Sequence, residues 1–219
     1  MKNVGMRKAL VAVVLCATLT WTACSTVWIG EAEQIVAALI PGIANLVTLV
    51  ATLSGKNVSA ADLQTIQSAG AQAGADLQLM QSLITQYQKA DAAAQPGLLN
   101  QIQVAIGAVQ ANLNGLLPAL HIEDAATQAK ITAVIGILLS EVESVAAIVP
   151  LVKASPGTMS VAAKEVKERP PLTANEFVAS YNATMTAKTG NAELDQAAAG
   201  MKIHLHGKVE RWASAGLLK

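Results

Sequence analysis

The sequence predicts an all-α fold: an antiparallel four-helix up-down bundle over residues 31–153, a linker at 154–172 and a C-terminal pair of helices over 173–219. Three observations predict it. Apolar residues recur three and four positions apart along four long stretches, the spacing that gathers side chains on one face of a helix. Proline, glycine and short polar residues separate those stretches by about four to six positions, which returns each helix beside the one before it. Aromatic residues make up 3% of a chain that is 53% hydrophobic, so Leu, Ile, Val and Ala must fill the interior at close helix contacts.

Residues 1–23 read as an export signal. Lys2, Arg7 and Lys8 form a basic start, Ala9 to Leu19 an apolar run, and Thr22-Ala23 a small-residue exit, with no acidic residue among them. The run is shorter than the roughly 20 residues that span a bilayer. Thr22-Ala23-Cys24 resembles the lipobox of bacterial lipoproteins, in which a small residue precedes the cysteine and a branched aliphatic stands three before it. Ala23 fits this pattern and Trp21 departs from it. The resemblance implies a lipid on Cys24 and a membrane partner reached through that anchor. Because Ser25 rather than aspartate follows, it also implies the outer membrane, with the domain facing the periplasm. An ordinary signal-peptidase cut after Ser25, with Ala23 and Ser25 as its small residues, would instead release the protein unlipidated. Cys16, inside the apolar run, is discarded with the signal in either case. With Cys24 acylated no thiol is left for a disulfide, so packing alone must hold the domain.

After a tether at 24–30, the first helix opens on Glu31 and Glu33 and runs apolar through Ile35, Leu39, Ile43, Leu46 and Val50, with Pro41-Gly42 expected to kink or split it. Ser59 and Asp62 cap a second helix over about 60–91, whose stripe is Leu63, Ile66, Gly70, Ala73, Leu77, Met80, Ile84 and Tyr87. Pro96 suits the first turn of a third helix carrying Leu99, Ile102, Ile106, Val109, Leu113 and Leu116 to a stop near Pro118. Asp124 caps a fourth, with Ile131, Ile135, Leu138, Val142 and Val145 inward and Pro150 near its end. Past the Pro/Gly-flanked linker, Thr173 and Glu176 form a capping box for a short helix ended by Thr189-Gly190. A last helix from about Ala192 would align Leu194, Met201, Leu205, Val209 and Trp212.

Charge narrows the function classes. Residues 1–23 hold three of the 15 basic residues and none of the 15 acidic ones, leaving 12 against 15 and a net charge of −3. Nothing in that balance favours nucleic acid. The 19 uncharged residues from Ile35 to Leu53 approach a membrane span in length, but Pro41, Gly42 and Asn45 fit a core helix better. Gly70 and Gly74 form a GxxxG suited to a tight helix crossing. His204, His206 and Glu210 are weak metal-ligand candidates, since no one regular geometry gathers all three. His121 beside Glu123 and Asp124 reads as a solvated loop histidine. The outer faces of the second and third helices use Gln64, Gln78, Gln81, Gln88, Gln101, Gln103, Gln110 and Asn114 in place of charge, which suits self-association or a protein partner as well as plain solvation. The expectation is a non-enzymatic, envelope-anchored helical scaffold with no cofactor. Two other classes stay open: a membrane-active, pore-forming-like protein using residues 35–53, and a small-molecule or metal carrier.

Overall fold

The computed structural model describes residues 27–53, 58–119, 122–150 and 172–204. The chain is all-α, with helices α1 (Val27–Thr52), α2 (Ala60–Lys89), α3 (Gln95–Ala119), α4 (Ala125–Ile148), α5 (Ala174–Thr186) and α6 (Ala192–Ala199). The first four close a ring in which α1 packs on α2, α2 on α3, α3 on α4, and α4 back on α1. α1 and α2 run antiparallel. Early in α1, Trp28 meets Tyr87 edge-on at 5.3 Å and Glu33 accepts a hydrogen bond from Gln88, whereas midway along α1, Ile43 and Val47 face Gly70. The later pairs are tied at Asn112–Asp76 between α3 and α2, and at Gln103 to the Pro150 carbonyl just past α4.

One aliphatic core runs through all six helices. In α2 the expected stripe faces inward, with Ile66, Gly70, Ala73, Leu77, Met80, Ile84 and Tyr87 buried and Leu63 at the edge. The expected caps are in place. Ser59 accepts from the Asp62 amide, Asp124 from the Thr127 amide, and Thr173 with Glu176 forms a reciprocal capping box.

Three local expectations need correction. α1 begins at Val27, four residues before Glu31, because Trp28 and Ile29 find burial there, and so Glu31 and Glu33 lie beyond the first turn. Helix α1 also continues past Pro41, so Pro41-Gly42 does not split it. The carbonyl that Pro41 leaves without a donor is that of Ala37, an exposed residue, so water can satisfy it. The last helix stops at Ala199 rather than continuing through Met201, because Gly200 caps it and the backbone beyond has other partners. Asn182 brackets Ile203, donating to its carbonyl at 2.9 Å and accepting from its amide at 2.8 Å, while Asn45 donates to the Met201 carbonyl at 2.8 Å.

α5 packs on α4 and α1, and α6 on α5 and α1. Phe177, Tyr181 and Met185, spaced by four, put one face of α5 wholly into the shared core. Opposite them Gly42 leaves room: a Cβ there would sit 2.8 Å from a Leu138 methyl and 3.6 Å from the Phe177 ring. The C-terminal pair thus covers the seam between α1 and α4.

Candidate functional site

Of the chemistry-bearing residues singled out from the sequence, only His204 is among the described residues. Cys24, His121, His206 and Glu210 lie outside the described residues. His204 is exposed on the irregular segment after α6. Among the described residues no three His, Cys, Asp or Glu side chains gather closely enough to hold a metal ion.

Instead, two buried ionisable positions lie on α4, and neither was singled out from the sequence. Glu141 is fully buried, and neither carboxylate oxygen has a hydrogen-bond partner. Burial first, then the negative charges of Glu176 on α5 and Glu31 on α1, pushes its pKa up from 4.5 to about 8. A carboxyl so placed holds its proton at neutral pH, because an unpaired charge in that setting has nothing to replace lost hydration. The signal was present in the spacing: Val134, Leu138, Glu141 and Val145 form one three-four stripe, so Glu141 belongs to the inward face despite its charge.

Lys130 is the other. Its ammonium donates to the Ala187 carbonyl at 2.7 Å, at the C-terminal cap of α5, and lies 3.8 Å from an Asp195 oxygen at the start of α6. Burial lowers the Lys130 pKa, and the Asp195 charge opposes that shift. Burial works to raise Asp195, but the Thr189 amide and hydroxyl that it accepts from, with the charges of Lys130 and Lys188, bring it below the usual carboxylate value. One buried cation therefore stitches α4 to both C-terminal helices. Its partners are a helix-end carbonyl and a carboxylate, so the charge is compensated where it is buried.

The polar faces behave as their composition implies. Gln64, Gln78, Gln81, Gln88, Gln101 and Asn114 are exposed, and Gln103 and Gln110 half-exposed. No charged residue occurs anywhere in α3. Beside them stand three large exposed apolar side chains, Leu79, Val104 and Leu117. The GxxxG pair divides in function: a Cβ on Gly70 would collide with a Val47 methyl, whereas one on Gly74 would meet nothing. Two helices, α1 and α4, are long and apolar enough to cross a membrane by length and composition, and the most apolar window of each is 50% and 44% buried within the fold. No protein-family model matches the chain, and neither a curated protein nor a solved structure is significantly similar to it.

Proposed function

We propose that the protein is a non-enzymatic helical scaffold or interaction module of the bacterial envelope, held at the outer membrane, on the periplasmic side, by a lipid on Cys24. The observation that carries this reading is the closeness of the anchor position to the core: Val27 opens α1 three residues after Cys24, and Trp28 is already buried. An acyl chain there would tether a packed domain directly. The neutral Gln- and Asn-rich faces of α2 and α3 supply the surface for a protein partner or a second copy, since they can be covered without desolvating charge.

Membrane fractionation of cells making the wild type or Cys24→Ser tests the anchor. The wild type is expected in the membrane fraction and the variant in the soluble one; soluble protein in both contradicts the reading. The apolar character of α1 and α4 favours a second reading, a membrane-active protein that releases α1 into a bilayer after α5 and α6 undock. Dye-loaded vesicles exposed to the lipid-free domain separate the two, because a scaffold leaves them intact and a pore-former empties them.

A further inference from the structure

The ties between α4 and α5 fix where Glu141 sits along their seam. Lys130, early in α4, donates to the Ala187 carbonyl past the end of α5, whereas Ser144, late in α4, accepts at 2.9 Å from the Leu172 amide just before α5 begins. The two helices therefore run antiparallel. Between these ties Leu138 and Phe177 both flank Gly42, so Glu141, one turn past Leu138 and one turn short of Ser144, lies under the first turn of α5. Ala174 and Phe177 of that turn are buried, as is Glu141 itself, and neither of its carboxylate oxygens has a hydrogen-bond partner. Every helix packed on α4 offers it like charge or none. Glu176 on α5 and Glu31 on α1 are the charges it feels, while Glu33 is turned to Gln88, and α3 carries no ionisable side chain. Tyr181, the other titratable group of α5, directs its hydroxyl at the Gly42 carbonyl. On α4 itself Glu143 is exposed, and the one cation, Lys130, is about three turns away and engaged with Ala187 and Asp195.

We propose that the proton on Glu141 latches the C-terminal pair onto the bundle, and that its loss to solvent opens the seam at the start of α5 while the ring of α1 to α4 stays packed. An ionised Glu141 held in place is unhydrated, unpaired and repelled from two sides. Lifting the first turn of α5 admits water and carries Glu176 away in one movement. It breaks the hydrogen bond from Leu172 to Ser144 and exposes the start of one short helix, whereas opening towards α1 or α3 would break the ring. Glu141 lies in the core whether or not Cys24 is acylated, so the inference is independent of the anchored reading. It supplies a trigger for the undocking that the membrane-active reading needs.

Hydrogen exchange of the full mature chain, read by mass spectrometry at low urea and with intrinsic exchange rates divided out, follows the opening of each helix. Amides in the first half of α5 are expected to exchange through an opening that urea barely promotes, and that becomes about tenfold more frequent per pH unit from about pH 5 until the closed form ionises near pH 8. Amides of α2 are expected to wait for the far more urea-sensitive unfolding of the whole molecule. Glu141→Gln, which keeps the shape of the protonated acid, is expected to flatten the pH profile of α5. A wild-type slope in that variant overturns the latch. Exchange of α5 with the same rate and urea dependence as α2 overturns it as well, because the seam then opens only when the ring does. If Glu141→Gln does not fold, Glu176→Gln decides, since Gln serves in a capping box as Glu does. Removing that charge is expected to end the rise at a lower pH, and an unmoved profile overturns the latch.

Discussion

At the scale of single residues the packing makes opposite demands on similar side chains. Gly70 lies against α1, and its obstacle is a stiff, β-branched Val47 that cannot turn aside. Gly70→Ala is expected to destabilise the protein by about 1–3 kcal/mol, as overpacking does. Gly74→Ala, with open space around it, is expected to be neutral or to stabilise by up to about 1 kcal/mol through helix propensity; urea unfolding of both variants reads the contrast. Glu141 gives a pH dependence. Its pKa is raised in the fold, so the folded chain binds the proton more tightly than the unfolded one, and stability falls as pH rises from the ordinary 4.5 to about 8. The slope is up to about 1.4 kcal/mol per pH unit, and it vanishes above that window. Glu141→Gln is expected to remove the slope between pH 5 and 8 and to be the more stable protein at pH 8; a parallel decline in both proteins would show that another group sets it. That Gly70 would be a crossing point was legible in its neighbours Ala69, Ala71 and Ala73. That Gly74 would not be was illegible, because GxxxG spacing does not say where the partner helix diverges.

At the scale of elements, the helices that form the ring were legible because three-four spacing and caps act locally, as α2 illustrates from Ser59 through Tyr87. Boundaries were less so wherever tertiary contacts decided them. Val27 to Gly30 carry no capping signal and read as tether, yet Trp28 against Tyr87 makes them helix. The spacing of Leu194, Met201 and Leu205 reads as one continuous helix, yet the backbone past Gly200 bonds to Asn45 and Asn182, side chains distant in sequence. The docking of α5 depends on one buried face, so Phe177→Ala is expected to cost about 3–5 kcal/mol, and unfolding should remain a single transition because the core is shared. Thr173→Ala removes only the cap and is expected to cost about 1 kcal/mol. Near-wild-type stability for Phe177→Ala, in the same urea titration, would mean that the C-terminal pair adds nothing to the bundle.

At the scale of the whole molecule, the sequence bears on location more than on chemistry. Of the weak candidate ligands His204, His206 and Glu210, only His204 is among the described residues, exposed beyond the end of α6. Of the two buried ionisable groups in the interior of α4, Lys130 joins that helix to both C-terminal helices, whereas Glu141 is buried with no hydrogen-bond partner. A packed aliphatic domain whose first described residue, Val27, stands three positions after Cys24 is what makes the anchored reading coherent. Its most direct test is mass spectrometry of the mature N-terminal peptide from cells. The account predicts a chain that begins at Cys24 and carries the mass of a diacylglyceryl group on its sulfur; an unmodified chain beginning at Thr26 would contradict it.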